Sequence, residues 1–176
     1  MYKYNFPMHS VATGVIFYYE TNDGTILLLQ ERSDALCTPD SRISITGGYL
    51  NGKTCAKKPP ENIITGLRRE IREEFGVPFE KAIKPNAFTQ SNVAYIRHCA
   101  EQNPAGGMQS NIQLIWTLRI SKKMAKLAIA KDKAEVKAIM HIQHNEIHLH
   151  PCSWLPEVAN IMVKSGHLPP PINISN

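Results

Sequence analysis

Glu70, Glu73 and Glu74 stand close together in a segment reading Arg69-Glu70-Ile71-Arg72-Glu73-Glu74-Phe75. On a helix turning about 100° per residue, the three carboxylates share an arc of roughly 100° on one face. Like charges at helical neighbour spacing cost a few tenths of a kcal/mol each, so the cluster needs a compensating partner. Two are open. Arg68, Arg69 and Arg72 can form ion pairs along a solvent-facing helix. Alternatively, a hard divalent cation such as Mg²⁺ binds carboxylate oxygens, keeps several waters and arrives with phosphate oxygens. The surroundings suit the second: Gly47-Gly48 lets backbone approach a ligand closely. Lys53, Lys57 and Lys58 lie in a polar stretch where cations can neutralise phosphate charge.

The spacing resembles the Nudix box, a pattern of glycine, five residues, Glu, seven residues, Arg-Glu, an aliphatic, any residue, Glu-Glu, any residue, glycine and an aliphatic. Here Glu61, Arg69-Glu70, Ile71, Glu73-Glu74, Gly76 and Val77 match. One position departs: the box glycine falls on Cys55. The nearest Gly-Gly pair is 47–48, with twelve residues between Gly48 and Glu61, which implies an insertion of seven. Loop closure entropy rises only logarithmically with length, so an insertion there is compatible with an intact site.

The resemblance implies a single Nudix domain over residues 1–168, an α/β/α sandwich with a mixed sheet, and a C-terminal tail at 169–176. It implies that Glu70, Glu73 and Glu74 ligate Mg²⁺ or Mn²⁺, while Arg69 orients them with help from Glu61. Gly47, Gly48, Lys53, Lys57 and Lys58 are the expected substrate contacts. The family's general base is either a box glutamate or an acidic residue further along; Glu135 is the candidate for the latter. The implied reaction is metal-dependent hydrolysis of a diphosphate linkage in a nucleoside diphosphate joined to another moiety. Two rivals are a Nudix-fold module that binds nucleotide or nucleic acid without turnover, and an RNA-end hydrolase.

Positioning these residues requires a mixed set of elements. Val11–Tyr19 reads as a strand, Asp23-Gly24 as a two-residue hairpin turn, and Ile26–Gln30 as the returning strand. Residues 42–46 form a short strand into Gly47-Gly48. A helix is expected from about Pro60–Asn62 to Phe75, where Gly76 caps it and Pro78 blocks continuation. Its core-facing stripe is Ile63, Ile64, Leu67, Ile71 and Phe75. Strands are expected at 87–96, 112–120 and 136–142, and a closing helix at 154–164.

Composition sets outer bounds. The chain has 176 residues, 43% hydrophobic and 20% charged, which suits one domain and excludes intrinsic disorder. Its apolar runs are far below the ~20 residues of a membrane span, and no signal-type stretch opens it, so a cytoplasmic protein without membrane contact is expected. A net charge of +5 suits anionic partners such as nucleotides. Cys37, Cys55, Cys99 and Cys152 have no Cys-x-x-Cys spacing and are expected to be reduced. His141, His144, His148 and His150 read as packing or surface residues rather than a metal site, and Trp116 and Trp154 as core, with base stacking the lesser alternative for either.

Overall fold

A computed structural model describes residues 9–36, 41–50, 61–102 and 108–171. The chain opens with a long strand, β1 (His9–Thr21), that turns back into β2 (Gly24–Arg32). The two-residue loop is Asn22-Asp23 rather than Asp23-Gly24, since Thr21 pairs with Gly24 across the ladder. Thr21 closes the turn: its hydroxyl accepts from the Asp23 N–H at 3.2 Å and donates to the Gly24 carbonyl at 3.1 Å. Gly24 carries the positive φ, +129°, just beyond the loop.

The expected strand over residues 42–46 is two pieces. β3 (Ile43–Ser44) pairs with the end of β2, and β4 (Thr46–Tyr49) crosses to pair antiparallel with the first half of β1. The crossing is what carries Gly47 and Gly48 to the centre of the sheet. After residues 51–60 come α1 (Ile63–Phe75) and, directly behind it, α2 (Val77–Ala82). α1 ends at Phe75 with Gly76 as its cap, as expected, and α2 is a separate, unexpected helix that holds Pro78. Proline is tolerated in a helix's first turn, where the lost N–H has no intrahelical acceptor.

Residues 87–94 are not strand. A 3₁₀ turn, Gln90–Asn92, lies there, and β5 begins only at Tyr95 and runs to Gln102. Its partner β6 (Met108–Arg119) lies parallel to β1, so one flank of β1 is covered along most of its length. A short α3 (Lys122–Ala125) leads to β7 (Val136–Gln143), which covers the outer edge of β2. A 3₁₀ segment, His144–Leu149, and the closing α4 (Leu155–Lys164) complete the fold. The sheet is mixed, with the order β3-β2-β1-β6-β5.

Both faces of the central strands are buried, which explains why β1 and β2 read as nearly continuous apolar runs. Val15, Phe17, Ile26 and Leu28 pack with Leu67, Ile71 and Phe75 of α1 and Phe79 of α2. Ile16, Leu27 and Leu29 point the other way, against Leu155, Val158, Ala159 and Met162 of α4. The result is a sheet between two helical layers. Leu168 is buried with α4. No helix among the described residues is long and apolar enough to cross a membrane.

Candidate active site

α1 is set by its ends. Asn62 caps it, its side-chain oxygen accepting from the Ile64 N–H at 2.9 Å, and Gly76 ends it with φ +91°. With Leu67, Ile71 and Phe75 seated in the core, the glutamate face is forced against β4 and the rim of the sheet. The three glutamates then meet different environments. Glu74 is 3% exposed and Glu70 7%, whereas the Glu73 side chain is half exposed.

Arg69 organises this face. Its Nε and Nη2 clasp Glu61 at 3.0 and 3.1 Å, and Nη2 also donates to the Tyr49 carbonyl at 3.0 Å. Nη1 reaches Glu73 and Glu70, both at 2.7 Å. Four hydrogen bonds and the ion pair to Glu70 engage all three guanidinium nitrogens, a use that suits arginine's planar fork. These bonds hold Arg69 firmly protonated. Arg68 and Arg72 turn the other way, binding buried Glu80 of α2 at 2.7 and 3.3 Å. Ion pairing on this helix thus compensates Glu70 and Glu73 through one arginine.

Glu74 has a different arrangement. One carboxylate oxygen accepts from Gln30 Nε2 at 3.0 Å and the other from the Gly47 N–H at 2.9 Å. Burial nevertheless dominates and raises its pKa to about 8, with the Glu70 and Glu135 charges adding to the rise. Burial also raises the pKa of Glu70, opposed by Arg69. Two buried carboxylates whose charged forms are penalised in this way mark a place where added positive charge is stabilising.

The two glycines differ in role. A Cβ on Gly47 would lie 2.0 Å from the Thr13 carbonyl oxygen and 2.6 Å from the Gly14 Cα, and its φ is +148°. Gly47 is what lets β4 lie this close to β1. A Cβ on Gly48 would instead fall 2.7 Å from the Glu70 carboxylate carbon, so the absent side chain is the space that carboxylate occupies.

A cleft of about 530 Å³ opens beside these groups. Gly47, Gly48, Arg69, Glu70, Glu74 and Glu135 all line it. Glu135 is brought there because the preceding loop folds onto the end of α1: the Ile129 and Lys131 N–H groups donate to Phe75 and Glu74 carbonyls at 3.1 and 3.3 Å. Glu61 stands behind Arg69, and Glu73 is held by Arg69 on the exposed side. Lys53, Lys57 and Lys58 lie outside the described residues, as do Cys37 and Cys55. Cys152 is a buried free thiol. Lys122, Lys123, Lys126, Lys131, Lys133 and Lys137 are exposed.

Gln30, Arg32 and Gln113 are among the cleft residues that sequence reasoning missed. Gln30 closes the apolar run of β2, a position where a polar side chain signals a specific partner. Arg32, Gln113 and Trp154 come from distant segments and meet only through the sheet. Trp116 is core as expected, its indole N–H donating to the Thr89 carbonyl at 2.9 Å, but Trp154 faces the cleft.

The donors around Glu70, Glu73, Glu74 and Glu135 are all oxygen, with no imidazole or thiolate among them. That chemistry suits a hard divalent cation such as Mg²⁺ or Mn²⁺. Among the described residues, no three His, Cys, Asp or Glu side chains converge as they stand. The reason is visible: Arg69 draws Glu70 and Glu73 outward, while Gln30 and Gly47 draw Glu74 inward.

No protein-family model matches the sequence, and a search of curated proteins finds no relative. Solved structures do match. The NUDIX domain of Shewanella oneidensis NrtR complexed with ADP ribose aligns over 93% of both chains, at 14% identity and TM-score 0.56. A Caenorhabditis elegans Ap4A hydrolase binary complex aligns over 89% of this chain and 95% of its own, at 14% identity and TM-score 0.53. A MutT/nudix family protein from Enterococcus faecalis aligns over 80% of this chain, at 18% identity and TM-score 0.50. This chain spans 45% of that protein's length. The chain has the Nudix fold.

Proposed function

We propose that this protein is a metal-dependent pyrophosphohydrolase that cleaves the diphosphate linkage of a nucleoside diphosphate joined to another moiety. The observation that carries the reading is that buried Glu70 and Glu74, and Glu135 from the loop before β7, line one cleft together with the Gly47-Gly48 backbone. Glu70, Glu73 and Glu74 would hold Mg²⁺ or Mn²⁺. The ion, when bound, polarises phosphoryl oxygens and lowers the pKa of the attacking water.

The chain's own residues supply the rest. Glu135 accepts the proton of the water that adds to one phosphorus, as the bridging P–O bond breaks and the phosphate-bearing group departs. Arg69 fixes Glu70 and Glu73 by charge-assisted hydrogen bonds, with Glu61 holding the guanidinium in place. Arg32, which lines the cleft, offsets the negative charge of the diphosphate, with Lys53, Lys57 and Lys58 in the same role. Of the ligands named for two of the fold's neighbours, ADP ribose has a diphosphate bridge and Ap4A a chain of four phosphates, so both carry the phosphoric anhydride bonds this reading requires.

A binding module without turnover is the second reading, favoured by Glu74 having both oxygens already engaged by Gln30 and Gly47. The two separate in a panel of ADP-ribose, dinucleoside polyphosphates, nucleoside triphosphates and capped RNA, followed by phosphorus NMR with and without Mg²⁺. Metal-dependent release of phosphate-bearing products from at least one diphosphate-bridged nucleotide is expected. Binding of these compounds with no product over hours sinks the enzyme reading.

A further inference from the structure

The cleft wall on the α4 side carries a group that the carboxylate chemistry leaves unused. Trp154, at the N-terminal cap of α4, lines the cleft together with Gln113 of β6. Arg97 of β5 is directly opposite Gln113 across the antiparallel ladder. Its Nη1 donates to Gln113 Oε1 at 3.1 Å, and its guanidinium carbon stacks 4.8 Å from the Trp154 ring centroid. One arginine therefore fixes two cleft-lining side chains at once. With its oxygen occupied by Arg97, Gln113 has its amide N–H₂ to offer as donor. Ile115 and Ala12, beside them on the sheet, line the same part of the cleft but are themselves buried.

A flat aromatic surface and a fixed amide donor are elements that recognise a nucleobase. Resting on the pyrophosphohydrolase reading above for the location of the diphosphate, we infer that Trp154 and Gln113 bind the purine base of the substrate. Trp154 stacks on the base, Gln113 Nε2 donates to an acceptor on its edge, and Arg97 positions both. A purine is the better occupant because its two fused rings overlap more of an indole than a pyrimidine does, and its edge displays several acceptors. This makes the specificity of the site a property of β5, β6 and the start of α4, separate from the carboxylates of α1.

The test uses the full chain and needs no metal in its first arm. Calorimetric affinities for AMP and for ribose 5-phosphate, which lacks the base, are compared in wild type, Trp154→Phe, Trp154→Ala and Gln113→Leu. Wild type should bind AMP at least tenfold more tightly than ribose 5-phosphate. Base stacking on an aromatic side chain sets a loss of roughly 10-fold to 100-fold for Trp154→Ala with AMP alone. Trp154→Phe should keep most of the preference. Trp154 also packs against core residues, so Gln113→Leu carries the test if Trp154→Ala does not fold. It should weaken AMP about fivefold and leave ribose 5-phosphate unchanged. Equal affinities for the two ligands in wild type, or no effect of Gln113→Leu and Trp154→Ala in folded protein, overturn the inference.

The second arm separates this inference from the reading it rests on. ADP-ribose and a dialkyl diphosphate lacking any base are offered with Mg²⁺. Turnover of both at equal kcat/KM, lowered alike by the variants, removes the base site and leaves the hydrolase. Base-dependent AMP binding with turnover of neither compound removes the hydrolase and leaves the base site.

Discussion

Gly47 and Gly48 are adjacent in sequence, yet alanine at the two positions should break different things. At Gly47 the added Cβ meets main chain: the Thr13 carbonyl oxygen at 2.0 Å and the Gly14 Cα at 2.6 Å. Those atoms belong to β1, which is paired to β4 on one side and to β6 on the other, so they cannot move without disturbing both ladders. The φ of +148° adds strain of about 1–3 kcal/mol for any residue with a side chain. Overpacking adds another ~1–3 kcal/mol. Gly47→Ala should therefore lose about 4 kcal/mol, a large part of a typical domain's 5–15 kcal/mol. At Gly48 the Cβ meets only the Glu70 carboxylate, at 2.7–2.8 Å. That group can rotate away, giving up its largely buried contact with Arg69, at a cost of about 2 kcal/mol. Its displacement by about 1 Å should lower turnover on the order of 100-fold. Urea denaturation and thermal melting, run beside the diphosphate assay, measure both. A Tm drop of roughly 10 °C is expected for Gly47→Ala and about half that for Gly48→Ala. Wild-type stability in Gly47→Ala, or undiminished turnover in folded Gly48→Ala, would refute the reasoning.

Glu73→Gln should abolish most turnover while shifting stability by less than about 1 kcal/mol, because the side chain is half exposed and its pair with Arg69 is at the surface; kcat and urea midpoint together check this. Arg69→Lys keeps the charge but not the fork that clasps Glu61, so a loss of about 2 kcal/mol and a large fall in kcat are expected, read in the same two assays. Glu80→Gln is the contrasting case: it should cost about 1–2 kcal/mol by loosening Arg68 and Arg72, yet leave kcat/KM unchanged. Burial lowers the pKa of His141 and His144 below the ordinary 6.5, so the unfolded chain binds more protons than the native one as pH falls through that region. The histidine contribution to stability should decline from about pH 7 to pH 5, opposed by Glu74, whose pKa of about 8 makes the native chain bind the extra proton there. His144→Gln should remove part of the histidine contribution to the slope in urea titrations; an unchanged slope counts against the assignment.

Much of α1 could be read directly because its signals are local: Asn62 before the apolar stripe, Gly76 behind it, and glutamates at fixed spacing between. The same locality explains the errors. The stop after Phe75 holds, but Pro78 also sits in the first turn of α2, a helix that rules reading only the preceding one do not register. Residues 87–94 carry strand-forming letters that the Thr89–Asn92 capping interactions and the Trp116 indole override. β3 and β4 look like one strand because the crossing between β2 and β1 is set by tertiary pairing. Within the site, the pattern placed Arg69 beside its glutamates but could not show that Glu74 is buried against Gln30. Arg32, Gln113 and Trp154 had no local signature at all. Their proximity exists only once β6 lies parallel to β1 and α4 closes over the sheet.

The account stands on the carboxylates of α1 serving a divalent ion. Manganese binding followed by electron paramagnetic resonance measures this directly, since free Mn²⁺ gives the signal and bound Mn²⁺ loses it. Wild-type protein should remove Mn²⁺ from solution at sub-millimolar concentration, and Glu70→Gln and Glu73→Gln should each weaken binding at least tenfold while remaining folded. A wild-type protein that leaves the free Mn²⁺ signal untouched into the millimolar range, or glutamine variants that bind as tightly as wild type, would contradict it.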